Sequence, residues 1–204
     1  MQSRSFLFLG IAAGLIIAMV AAGLVFQAPY QYQGSIIQPP VPAADFSLLD
    51  QDRSPFRLSD QQGKVVLIFF GYSNCPDVCP ATMADFHTIH DALGDRADQV
   101  RLLFVTVDPK RDTPERLKTY LTNFDPAIVG LTGDTQALEQ TWKEYGVFRE
   151  EQDIGSASGY AVDHSAFIYA VDKQGNLRLT YQFGFDSSQI EEDIVHLLAE
   201  STTG

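Results

Sequence analysis

Cys75 and Cys79 are the only cysteines in the 204-residue chain, and both lie in the stretch FFGYSNCPDVCPATM with three residues between them and a proline after each. Thiolates are soft ligands that select Cu(I), zinc or iron–sulfur clusters, and a closely spaced pair of thiols is equally suited to disulfide chemistry. Two sulfurs alone leave the metal open. Proline is favoured at the first helical position because its missing N–H would be unpaired there, so Pro80 is expected to open a helix with Cys79 at its cap. A residue before proline avoids the α region, which places both cysteines in a stiff loop. The Cys79 sulfur is then expected near the positive end of a helix, where a thiolate is stabilised.

A third ligand would narrow the metal, and four histidines are available. His87 and His90 lie well along the helix that follows the cysteines and point away from its start on regular geometry. His196 falls on an amphipathic stretch remote from the loop and reads as a surface or packing residue. His164, in YAVDHSAF, sits in a turn entering a strand and is the candidate ligand, although a lone histidine is often structural. The ring orientation that a ligand needs depends on partners a sequence does not show.

The elements that must position these residues follow from periodicity. KVVLIFF, residues 64–70, is an apolar run of buried-strand length that leads directly into the cysteine loop. Met83, Phe86, Ile89, His90 and Leu93 fall at helical spacing after it. VRLLFVTVD reads as a second buried strand, TPERLKTYLTNF as a helix opened by Thr113 and Pro114, and AIVGLTG as a third strand. Asp134 starts a further helix. SAFIYAVD and LRLTYQFG flank KQGN as a hairpin, and DSSQIEEDIVHLLAE is a closing amphipathic helix. Upstream, ADFSLLDQDRSPFRLSD alternates around a polar turn and suggests an N-terminal hairpin. This order predicts an α/β fold, a thioredoxin-like mixed sheet flanked by helices. Sites in such sheets collect at the carboxyl ends of strands, where Cys75 falls.

Residues 6–26 form 21 positions without a charge, about the ~20 needed to cross a bilayer. A cleaved signal peptide competes with this reading, but its apolar region is usually only about 7–15 residues. An uncleaved transmembrane anchor over residues 1–27 is therefore expected, with a linker over residues 28–44 and a single domain over residues 45–204. Arg4 precedes the apolar run and the next charge is Asp45, which keeps the short N-terminus in the cytoplasm and exports the domain. Exported thiols normally close as a disulfide. With 14 basic and 26 acidic residues, the net charge of -12 argues against binding a phosphate backbone, so no nucleic-acid partner is expected.

FFGYSNCPDVCPATM, VTVDPKRDTPERLKTY and YAVDHSAFIYAVD resemble, in this order, three signature segments of the Sco/SenC family, named for synthesis of cytochrome c oxidase. The resemblance runs from about residue 43 to the C-terminus. It implies a thioredoxin-like copper-binding domain, anchored in the bacterial inner membrane by one helix and facing the periplasm. It further implies that Cys75, Cys79 and His164 bind copper, as Cu(I) or Cu(II), and that Cys75 and Cys79 form a redox-active disulfide pair. Asp77 and Asp163, beside these ligands, would support them or dock a partner; as turn formers they need do neither. The implied function is a metallochaperone for the CuA centre of cytochrome c oxidase subunit II. Other copper chaperones or thioredoxin-like reductants would be further partners. The alternative is a periplasmic thiol–disulfide oxidoreductase that reduces the CuA-site cysteines. A thioredoxin uses C-x-x-C, one residue shorter than the spacing here, and a peroxiredoxin carries Thr-x-x-C where this chain has Tyr72.

Overall fold

Seven consecutive residues, Val65–Gly71, are all buried, because the strand they form has a neighbour on each side and is covered on both faces. The computed structural model describes residues 30–156 and 159–200. The expected anchor over residues 6–26 lies outside these residues, and among the described residues no helix is long and apolar enough to cross a membrane.

The strands are β1 (Ser35–Pro42), β2 (Ser47–Asp50), β3 (Pro55–Arg57), β4 (Val65–Gly71), β5 (Val100–Thr106), β6 (Ile128–Thr132), β7 (Arg149–Ser156), β8 (Gly159–His164), β9 (Phe167–Val171) and β10 (Asn176–Gln182). The helices are α1 (Val78–Leu93), α2 (Pro114–Leu121), α3 (Thr135–Glu144) and α4 (Ser187–Ala199). An eight-stranded mixed sheet runs in the order β1-β10-β9-β4-β5-β6-β2-β3, while β7 and β8 form a separate two-stranded ladder. β4, β5 and β6 are parallel; β9 lies antiparallel to β4 on its other side. The expected hairpin is β2–β3, and it joins the sheet through β6.

The helix starts follow the capping chemistry the sequence carries. Thr113 accepts from the Arg116 amide, Asp134 from Ala137 and Asp186 from Ser188, each satisfying a donor that the first turn leaves unpaired. On α1 the buried residues include Met83, Phe86, Ile89 and Leu93, one stripe at the helical repeat. His90 is instead half-buried at the edge of that stripe and pairs with Asp125.

The N-terminal boundary differs from the expected one. Residues 28–44 were read as a linker, yet Ser35–Pro42 pairs antiparallel with β10 and the domain takes in the chain from Tyr32. Buried Asp193 on α4 fastens this start by accepting from the amides of Gln33 and Gly34, at 3.0 and 2.9 Å, and from the Tyr181 hydroxyl at 3.1 Å. β1 has no readable period because it is an exposed edge strand carrying three prolines and a register shift between Ile36 and Val41.

Candidate metal centre

β4 ends at Gly71, and the turn after it delivers Cys75, whose amide donates to the Tyr72 carbonyl at 3.2 Å. α1 begins at Val78, two residues before the expected start, with Asp77 as N-cap and Pro80 inside the first turn. Amides of that turn have no intrahelical partner, so proline is tolerated there as it is at the first position. The early start puts Cys79 within the helix and Cys75 just beyond its N-terminus. The Cys79 amide donates to the Cys75 sulfur at 3.4 Å.

This corrects the expected ionisation. Cys75 is the thiolate: its pKa is lowered to about 4, first by a hydrogen bond from the Cys79 thiol, then by the amides of Asp77 and Cys79, against the opposing effect of burial. Cys79 is fully buried, and burial followed by the nearby Cys75 sulfur pushes its pKa up, so that it keeps its proton. Alkylation of Cys75 in the reduced protein is accordingly expected to stay constant from neutral pH down to about pH 5 and to fall below it, with a midpoint near 4. A midpoint near that of an ordinary thiol, about 8.5, would show that these hydrogen bonds do not ionise Cys75.

His164 reaches the cysteines from the end of β8. Its Nε2 lies 3.6 Å from the Cys79 sulfur, while Nδ1 lies 3.0 Å from the Ser165 carbonyl oxygen. Donation from Nδ1–H to that carbonyl selects the tautomer whose free lone pair, on Nε2, faces the sulfurs. The imidazole meets Phe69 and Tyr72 edge-on, with centroids 6.1 and 5.8 Å away. The ligand atoms of Cys75, Cys79 and His164 all lie within 4.8 Å of one another. Two sulfurs and one imidazole nitrogen in that space suit a soft or borderline metal, with an open position for exchange.

The remaining histidines are elsewhere, as their spacing implied. His87 and His90 share the Asp125 carboxylate through Nδ1, at 3.2 and 2.8 Å, and His196 packs edge-on against Tyr32. Asp77 and Asp163 are both exposed. Asp77 acts on the site through its backbone amide, which reaches the Cys75 sulfur, and Asp163 lies opposite Glu150 in the β7–β8 ladder.

Two features of the site were not read from the sequence. Gly71 is required by close approach: a Cβ there would lie 2.9 Å from the Cys79 sulfur and 2.7 Å from a Phe69 ring carbon. Gly71→Ala is therefore expected to displace Cys79 or Phe69 and to lower the unfolding midpoint, at a cost of about 1–3 kcal/mol. Chemical denaturation checks the stability and alkylation in the native state checks whether Cys79 has become accessible; unchanged values in both would remove the steric requirement. The second is Asp112, fully buried, which accepts from the Ser73 amide at 3.1 Å, the Ser73 hydroxyl at 2.5 Å and the Thr106 hydroxyl at 2.7 Å. It braces the turn that precedes Cys75. Arg116 completes the brace by donating to Ser73 and Asn74, each at 3.0 Å. The signal was the stretch DPKRDTPE, which the sequence alone assigns only to a strand end and a helix cap.

A thioredoxin-like sheet that ends in a C-x-x-x-C turn, with a histidine brought against both sulfurs by a separate arm, defines a metal-thiolate protein rather than a C-x-x-C reductase. The chain belongs to the SCO1/SenC family, whose model matches residues 36–199. A SCO2-like protein of Rickettsia prowazekii is 35% identical over 149 residues, 72% of each chain. The structure of Bradyrhizobium japonicum ScoI with copper bound is similar at a TM-score of 0.72 and 34% identity, covering 78% of this chain and 100% of that one. The solution structure of apo Sco1 from Thermus thermophilus gives a TM-score of 0.74 at 35% identity, covering 84% of this chain and 99% of that one.

Proposed function

We propose that this protein binds copper through Cys75, Cys79 and His164 and hands it to the CuA centre of cytochrome c oxidase subunit II. The observation that carries the reading is the convergence of these three side chains from two separate elements onto one small space. The copper-bound relative from Bradyrhizobium japonicum supports the choice of metal. Cys75 and His164 are partly exposed while Cys79 is buried, an arrangement that holds the ion at the protein surface and leaves room for an acceptor's ligands.

The site works outside the cytoplasm, on a domain tethered to the bacterial inner membrane by residues 6–26. The purified reduced protein should carry one copper ion per chain, with imidazole nitrogen coupling in the Cu(II) form. A reporter fused after Gly204 should be active only in the periplasm, and the mature chain should retain its first residues. A chain that binds no copper, or a reporter active in the cytoplasm, would overturn the corresponding half of the reading.

One observation favours a second role at the same residues. A Cys75 thiolate beside a protonated, buried Cys79 is the arrangement of an attacking and a resolving thiol, which supports reduction of the acceptor's cysteines before metal arrives.

A further inference from the structure

His164 is the one member of the trio that is not carried by the main sheet or by a helix docked on it. It ends β8, paired only with β7, and Arg149 lies directly opposite it. A two-stranded ladder is marginal in water by itself, so the position of the imidazole depends on what holds this arm. The holding groups come from the loop after β5. Asp108 is fully buried, and its Oδ1 accepts from the Tyr160 hydroxyl at 2.7 Å, while Oδ2 accepts from Arg111 Nε. The Arg111 guanidinium lies 3.8 Å over the Tyr160 ring and donates through Nη1 to the Tyr160 carbonyl at 2.8 Å. It also faces Tyr72 at 5.6 Å, and Tyr72 in turn packs edge-on against His164. On the other strand, Arg149 donates to the Val107 carbonyl at 2.6 Å.

We propose that Asp108, Arg111 and Tyr160 form a latch that holds the β7–β8 arm, and with it the His164 imidazole, against the cysteine pair. They are positioning residues. The charge and hydrogen-bonding of Asp108 are satisfied only when Tyr160, on the arm, and Arg111, on the loop, are both in place, and a buried carboxylate left with one partner is costly. The planar guanidinium both stacks and donates, two tasks an ammonium does not combine. The sulfurs also have contacts of their own: the α1 start and the Asp112 brace hold the cysteine turn from the side of the main sheet. Opening the latch therefore removes one ligand and leaves two, and a two-sulfur site retains Cu(I) better than Cu(II), which favours the imidazole. The metal half of this inference rests on the copper reading above; the latch itself does not.

The test uses Tyr160→Phe, which removes only the hydroxyl, together with Arg111→Met and Arg111→Lys. In the metal-free, reduced, full chain, hydrogen exchange of the β8 amides and the NMR shift of the His164 ring report the arm directly. Faster β8 exchange with unchanged exchange in β4 and α1, and a ring shift moving toward that of a free histidine, are expected for Tyr160→Phe and Arg111→Met. Arg111→Lys is expected not to restore either. In the copper forms, the same variants should lose imidazole nitrogen coupling and bind Cu(II) about 10–100-fold more weakly, while still taking up one Cu(I) per chain. Wild-type exchange and ring shift in both Tyr160→Phe and Arg111→Met would overturn the latch, as would loss of Cu(I) uptake in a folded variant. A wild-type protein that binds no copper, with the metal-free changes present, would leave the latch standing and remove the copper reading instead.

Discussion

Serine in place of both Cys75 and Cys79 is expected to take the reduced protein from one tightly held copper ion per chain to none, whereas His164→Ala is expected to leave a weaker two-sulfur Cu(I) site. The difference follows from ligand softness. A hydroxyl is a hard and almost always protonated donor, so each serine removes a ligand that Cu(I) needs, while two thiolates alone still satisfy it. The two single variants are expected to fail for different reasons. Cys75→Ser removes the sulfur that is already ionised, at about pH 4 and above. Cys79→Ser puts a hydroxyl into a fully buried position whose close neighbours include Gly71, at a cost to the fold of about 1–3 kcal/mol. Competition against a Cu(I) chelator gives the stoichiometry and affinity, and denaturation shows that each variant is folded. Tight, stoichiometric copper in the folded double variant would sink the assignment.

The positions of Cys75 and Cys79 were legible because their surroundings obey local rules. The buried run of β4, the helical stripe from Met83 to Leu93 and the caps at Thr113, Asp134 and Asp186 each express one dominant pattern. What was not legible depends on contacts between segments distant in sequence. β1 is a proline-bearing edge strand with no buried face, and its register comes from β10 and from Asp193 rather than from its own residues. β7 and β8 form a polar pair held by Asp108 and Arg111, some fifty residues upstream, so no hydrophobic alternation marks them. The helix starts at Val78, two residues before the position Pro80 suggests, which places Cys79 in its buried first turn and Cys75 just outside it. Such a shift lies within the ordinary uncertainty of a helix boundary read from sequence. His164 was found by its place in the motif, but its effective geometry comes from Ser165, Phe69 and Tyr72.

Oxidation of the cysteine pair is expected to abolish Cu(I) binding almost completely, and bound copper is expected to protect both thiols from oxidants. The sulfurs lie within 4.8 Å of each other, and closing that gap to the bond length of about 2.05 Å joins the Cys75 thiolate to the Cys79 sulfur, releasing the Cys79 proton to solvent and two electrons to the oxidant. Metal and disulfide therefore compete for the same two atoms. The competition separates the two roles proposed for the site. If the protein delivers copper, transfer from the copper form to an apo CuA domain should proceed with no net change in thiol count on either protein, and a reductant should be needed only to reload oxidised donor. If it reduces the acceptor, the metal-free dithiol should attack a disulfide in the CuA domain through Cys75, and Cys79 should then resolve the mixed disulfide. The acceptor gains two thiols and the donor emerges oxidised. Mixing each form with the reduced and with the disulfide form of the acceptor, then counting copper and free thiols on both partners, distinguishes the outcomes. A Cys79→Ser variant should stop at the mixed disulfide in the second case and should accumulate nothing in the first. Undiminished Cu(I) binding by the fully oxidised protein would rule out the switch, because copper would then have to be held by groups other than these two sulfurs.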